Sequence, residues 1–260
     1  MKRLKILLTN DDGVLADGIL AAKTVLTEFG DVTVVAPSRP RSGCGHSITL
    51  HKALRAEVIP LPDGGTAYSC SGTPSDCVVL GVSHIMDECD LVVSGINKGS
   101  NMGEDLTYSG TVGAAMEGTI CSIPSIAISL DSFTANDFSA VAYYLREVVK
   151  LVMENGLPHD SFYNVNVPFL PLLEIKGIKF TAQGTRRYEE RVEKRVDPAG
   201  RDYYWICGNV ILNGNDDKES DNEAVQDNYV SITPISLKLT DFEFLEKLKS
   251  LKHSDLGKKY

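Results

Sequence analysis

Three short polar clusters in this 260-residue chain carry the side-chain types that do chemistry. They are Asn10-Asp11-Asp12-Gly13, the stretch 38–47 (SRPRSGCGHS), and the stretch 95–101 (GINKGSN). Adjacent carboxylates such as Asp11 and Asp12 repel each other unless something positive sits between them, and a hard cation is the natural candidate. With the Ser42 hydroxyl and the Asn97 side-chain carbonyl they make a four-oxygen set that suits Mg²⁺ or Mn²⁺ better than Zn²⁺. Such a set leaves positions open for water and a phosphate oxygen. No histidine lies in the first or third cluster, which argues against a zinc hydrolase. The plainer alternative is an Asx turn at a strand end, which explains one Asp readily and two less well.

A phosphate site follows the third cluster. Ser109, Gly110 and Thr111 open a helix, where hydroxyls and unpaired N–H groups favour an anion. Simple capping by Ser109 is the alternative, and both can hold together. Asn101 and four glycines from Gly95 to Gly110 let the backbone approach such a ligand closely. His46, a lone histidine in a loop, is given no catalytic role. Arg39, Arg41 and Lys98 are phosphate holders or solvated charges in equal measure. Trp205 with Tyr203 and Tyr204 fits core or interface packing better than base stacking. Asp216-Asp217 lacks the ligand spacing of a calcium loop and reads as solvated.

These clusters need strands behind them. Residues 5–9, 32–36 and 91–94 are short apolar runs of the kind buried on both sheet faces. A helix over 18–29 joins the first two, which implies a parallel pairing with a right-handed crossover. Thr73-Pro74-Ser75-Asp76 starts a helix running to about residue 86. Further elements are a helix from Ser109 to about 121, a strand at 125–130, an amphipathic helix from 138 to about 152, and a strand at 163–167. The expected fold is α/β: a Rossmann-like, doubly wound three-layer sandwich over residues 1–180. In such a sheet, ligands bind at the carboxyl ends of the strands, where all three clusters fall. Residues 181–260 read as an extension of the same unit: β-ribbons over about 178–205, an exposed polar loop at 213–228, a short strand at 229–233 and a terminal helix at 242–251.

Composition narrows the class. The formal net charge of −9 repels long polyanions, so no nucleic-acid polymer partner is expected. No apolar run approaches the ~20 residues of a membrane span, and the first residues show no export signal. Six cysteines without a C-x-x-C pair read as reduced thiols, which points to the cytoplasm.

The runs ILLTNDDGVLADGI (6–19), VVAPSRPRSGCGHSITL (34–50) and VVSGINKGSNMGEDLTYSGTVGAAMEG (92–118) resemble the SurE family, the stationary-phase-survival nucleotidases. SGTPSDCVVLGV (71–82), YNVNVP (163–168) and YVSITPIS (229–236) also resemble it, so the likeness covers nearly the whole chain. The resemblance implies a metal-dependent phosphatase acting on nucleoside 5′- or 3′-monophosphates, with short polyphosphate as a further substrate for some members. It implies one divalent metal ion per subunit on Asp11, Asp12, Ser42 and Asn97, the set reached above from oxygen chemistry. It also implies phosphate-side roles for Asn101, Ser109, Gly110 and Thr111, and a C-terminal extension exchanged within homodimers or homotetramers. Cys44-Gly45-His46 departs from many members but touches no ligand position. Asp11 is the preferred general base, with Asp12 and a phospho-aspartate as alternatives. Two other classes share part of this pattern. A phosphate-accepting receiver domain is about half this length and needs an Asp where Asn97 stands; a non-catalytic nucleotide-binding regulator would bind without turnover.

Overall fold

Strand β1 (Leu4–Thr9) shows why the chain begins as a doubly buried strand. Ile6 and Leu8 join the core on one sheet face and Leu7 joins the core on the other, all fully buried. The computed structural model describes residues 3–189, 191–208, 210–211 and 219–250. Helix α1 (Asp17–Leu26) returns the chain to β2 (Gly30–Pro37), which lies parallel to β1. Strands β3 (Ala56–Pro60) and β4 (Thr66–Cys70), which the apolar pattern did not signal, extend the sheet beyond β2. Helix α2 (Pro74–Leu80) carries the expected capping box between Thr73 and Asp76. It ends earlier than expected, giving way to a π-helical turn over Gly81–Ile85, where Gly81 sits against the Leu7 side chain.

On the other side of β1 lies β5 (Leu91–Lys98), followed by α3 (Gly110–Ile120), β6 (Ser125–Asp131), α4 (Ser139–Asn155) and β7 (Ser161–Pro168). Short β8 (Ile178–Phe180), β9 (Arg187–Tyr188), the hairpin β10 (Arg191–Val196)–β11 (Asp202–Cys207) and β12 (Val210–Ile211) come next. Helix α5 (Asp221–Gln226), β13 (Val230–Ser236) and α6 (Phe242–Lys249) end the described chain. The nine-stranded sheet has the order β3-β4-β2-β1-β5-β6-β7-β13-β8. The core from β4 to β7 is parallel; β3 and β13 run antiparallel to β4 and β7. Helices α1 and α4 pack together over one face, and α2 and α3 over the other. This is the doubly wound three-layer sandwich the sequence implied. From β1 the chain winds first toward β2 and later toward β5, so a topological switch point lies at the carboxyl end of β1.

One expectation about the C-terminal part needs correction. The stretch 213–228 is not wholly an exposed loop: Ser220 caps α5, and Asp221, Asn222, Ala224 and Val225 are buried. The Asp221 carboxylate accepts the backbone N–H groups of Gly103, Gly184 and Asn222 at 2.8–3.0 Å. An acid held this way packs inside, although its composition reads as solvated. Asp216-Asp217 and the end of the expected terminal helix, residue 251, lie outside the described residues. Tyr203, Tyr204 and Trp205 do not enter the core; they stand exposed on β11, with Trp205 58% accessible.

Candidate active site

Asn10 begins the site. Its side chain donates to the Gly13 carbonyl (2.9 Å) and accepts the Gly13 N–H (3.2 Å), closing a tight turn directly after β1. That turn presents Asp11 and Asp12 at the switch point. Arg41 donates its backbone N–H to the Asp11 carbonyl at 2.7 Å and so ties the Ser42 loop to the turn. On the other side, the β5–β6 register shifts between Ser94 and Asn97, a local irregularity of the kind that re-aims a side chain. Asn97 donates Nδ2 to the Gly99 carbonyl at 2.8 Å, which leaves its Oδ1 as the acceptor end. Asp11, Asp12, Ser42, Asn97, Asn101 and Ser109 all line one cavity of about 400 Å³.

The electrostatics of this cavity are unbalanced. Asp11 is only 4% exposed, and burial pushes its carboxyl up to about 6, with the Asp12 charge adding and the Thr111 hydrogen bond opposing. Burial also raises Asp12, against the Lys98 backbone N–H (3.2 Å) and the Lys98 charge. Among the described residues no Lys or Arg side chain forms an ion pair with either carboxylate; the Lys98 ammonium instead lies 3.4 Å from Asp17 and over the Phe138 ring. No cluster of three or more His, Cys, Asp and Glu side chains suited to a metal occurs among the described residues. The donor set on offer is therefore two carboxylates completed by neutral oxygens. That chemistry fits a hard, well-hydrated cation, which commonly takes one or two carboxylates and keeps waters.

The structure redistributes the remaining sequence candidates. Thr111 is fully buried and donates Oγ to Asp11 Oδ1 at 2.5 Å, so its hydroxyl serves the carboxylate. Gly110 leaves room for Asp11: a Cβ there would lie 2.9 Å from Asp11 Cβ and 2.8 Å from Cys44 Sγ. Neither residue is among those lining the cavity, whereas Ser109 is, and its hydroxyl caps α3 by accepting the Val112 N–H at 3.1 Å. Asn101 is buried. Asn166 and Asn164 grip its backbone at 2.7–3.0 Å, and Ser129 accepts one hydrogen of its amide nitrogen at 2.8 Å. Its amide nitrogen carries a second hydrogen, and Asn101 lines the cavity. Arg41 turns to the Ser71 carbonyl, and only Lys98 of the three basic candidates lines the cavity. His46 meets Glu117 at 2.6 Å on α3, a structural contact between loop and helix.

Sequence reasoning did not assign Ser129, Asn164 or Asn166. The signal was present in β7: two asparagines at period 2 in a buried strand place both on one face, where each needs a partner.

The chain is similar to known proteins over most of its length. Residues 6–190 match the family described as survival protein SurE. The chain is 48% identical over 250 residues to a 5′-nucleotidase SurE of Geotalea uraniireducens, covering 95% of this chain and 98% of that one. It is 45% identical over 247 residues to a 5′-nucleotidase SurE of Thermosipho melanesiensis, covering 95% and 96%. The crystal structure of the SurE protein from Aquifex aeolicus superposes with a TM-score of 0.82 at 44% identity, covering 94% of this chain and 98% of that one. On the matched core, these full-length relatives and the shared fold, the chain belongs to the SurE family.

Proposed function

We propose that this chain is a nucleotidase that hydrolyses nucleoside 5′- or 3′-monophosphates, using one Mg²⁺ or Mn²⁺ ion per subunit. The observation that carries this reading is the buried Asp11 beside half-buried Asp12, neither in an ion pair with a Lys or Arg among the described residues, at the switch point of the sheet. The relatives named 5′-nucleotidase SurE support the choice of nucleotides as substrate.

In this mechanism Asp11, Asp12, Ser42 Oγ and Asn97 Oδ1 hold the ion. When bound, a divalent ion supplies charge neutralisation on the phosphoryl group and a lowered pKa for water. Asp11 orients or deprotonates the attacking water, while Thr111 fixes the carboxylate that does so. Asn101, through its second amide hydrogen, and the N-terminal end of α3 at Ser109–Gly110 stabilise charge on the transferring phosphoryl group. Lys98 adds positive charge at the cavity wall.

The chain works as a homodimer or homotetramer in the cytoplasm. The exposed Tyr203, Tyr204 and Trp205 on the C-terminal extension support exchange of that segment between subunits. The six free thiols suit a reducing compartment, and no helix among the described residues is long and apolar enough to cross a membrane. The test of the activity is phosphate release from a panel of nucleoside 5′- and 3′-monophosphates with Mn²⁺ or Mg²⁺ present. Release from at least one member is expected; none from any member, with a folded sample, overturns the reading.

A further inference from the structure

Strand β7 directs two buried amides at one residue of a distant loop. Asn164 and Asn166 are fully buried, and both bond to Asn101, which lines the active-site cavity. We infer that Asn166, together with Asn164 and Ser129, is a positioning device that holds Asn101 where its amide meets the phosphoryl group being transferred. This rests on the proposed phosphatase reading of the cavity and adds the residues that aim one of its polar groups.

The grip has two parts, one on the backbone and one on the side chain. Asn166 Oδ1 accepts the Asn101 N–H at 2.7 Å, and its Nδ2 donates to the Asn101 carbonyl at 3.0 Å. Asn164 Nδ2 donates to the same carbonyl at 2.8 Å. A carbonyl oxygen has two lone pairs, and these two donors fill them. Ser129 Oγ accepts one hydrogen of the Asn101 amide at 2.8 Å, which fixes the direction of the side chain. The sheet register brings these groups together. Ser129 on β6 is the register partner of Asn166 on β7 and of Asn97 on β5. Register partners in parallel strands face the same side, so one row of polar side chains runs from Asn97 of the proposed metal set to Asn166.

The loop itself is permissive. Gly99 and Gly103 flank Asn101 with φ of 104° and 55°, a region open to glycine and to few other residues. The four hydrogen bonds from β6 and β7 restrict the freedom that these glycines leave. Fold stability alone favours a different choice of residue on β7. Val165 and Val167 of the same strand are fully buried and apolar, whereas Asn164 Oδ1 is buried with no hydrogen-bond partner among the described residues. An apolar side chain at position 164 carries no such cost. What the asparagines supply in return is a fixed place for Asn101, and a misplacement of ~1 Å can cost about a hundredfold in rate.

The experiment is a double-mutant cycle on the full-length protein with Mn²⁺ and adenosine 5′-monophosphate. Asn101→Ala is expected to lower kcat about a hundredfold, the scale of losing one donor to transition-state charge. Asn166→Ala should lower it roughly thirtyfold and Ser129→Ala about tenfold, through a displaced Asn101. In the Asn101→Ala background each should cost no more than about twofold further, because the group that they position is gone. Vanadate, a mimic of the transferring phosphoryl group, should show the same pattern in its affinity measured by calorimetry. Circular dichroism checks that each variant is folded; should Asn166→Ala not fold, Ser129→Ala, which removes a single oxygen, decides the matter alone. Losses as large in the Asn101→Ala background as in the parent overturn the positioning role, as do parent-like kcat and vanadate affinity in the folded single variants. A folded parent that hydrolyses no nucleoside monophosphate with Mn²⁺ present removes the phosphatase reading itself.

Discussion

Asp11→Asn is expected to lower turnover of a nucleoside monophosphate at saturating metal by at least about a thousandfold, the scale set by removing a group that stabilises the transition state. Asparagine keeps the shape of the side chain and an oxygen for the Thr111 hydroxyl, which now sits 2.5 Å away. In the proposed mechanism it removes the charge that holds a cation and the base that orients water. The stability effect runs the other way. In the metal-free protein, burial raises Asp11 from 3.8 to about 6, so ionising it costs the folded state. The penalty is absent below 3.8, grows as pH rises from 3.8 to about 6, and is constant above that range. At neutral pH it amounts to roughly 3 kcal/mol at most, and Asn does not carry it. Thermal or urea unfolding of the metal-free proteins at pH 7.5 should therefore show Asp11→Asn at least as stable as the parent. An inactive but stable variant identifies a functional carboxylate; a variant with retained activity, or one that is inactive because it unfolds, contradicts the assignment.

Gly18→Ala is expected to cost about 2–4 kcal/mol of stability, near the upper end of what overpacking does. Helix α1 lies on β5 at this glycine, and a Cβ would stand 2.0 Å from the Ile96 carbonyl oxygen and 3.4 Å from the Phe138 ring. The obstacle is strand backbone at the β5–β6 register shift, so either the helix or that stretch of β5 must move. Asn97 is the next residue, and a shift there reaches the proposed metal set. Urea denaturation measures the loss, and the metal concentration for half-maximal activity should rise in the same variant. A change within about 0.5 kcal/mol, the range of an ordinary surface substitution, would show that α1 does not hold β5 in place.

The parts of this protein that were legible in its sequence are those whose cause is local. Ile6, Leu7 and Leu8 are buried on both faces because the run is continuous, and Thr73 with Asp76 closes a capping box within four residues. Asp11, Asp12, Ser42 and Asn97 could be grouped because each falls just after a recognisable strand, and the sheet brings such ends to one cavity. The less legible parts depend on partners far along the chain. Thr111 reads as a phosphate ligand at a helix start, yet its hydroxyl belongs to Asp11, 100 positions earlier. Asn101 is held by Asn166 across 65 positions, and Asp221 is buried because Gly103, 118 positions before it, donates to it. No local periodicity carries such pairings, and an acidic stretch looks solvated until the donors that bury it are known. Strand β3 escaped notice for a different reason: nearly all of it is exposed, so it has no apolar signature.

The most direct test of the central claim is metal add-back. Protein stripped with a chelator, freed of the chelator and shown by elemental analysis to be metal-free is assayed for phosphate release from adenosine 5′-monophosphate across a Mn²⁺ titration, beside Asp12→Asn. The account predicts no turnover in the stripped protein, full recovery at saturating Mn²⁺ with one ion bound per subunit, and a titration midpoint shifted to higher Mn²⁺ in Asp12→Asn. Undiminished hydrolysis by verified metal-free protein would contradict it, and the Asp11–Asp12 pair would then need another explanation.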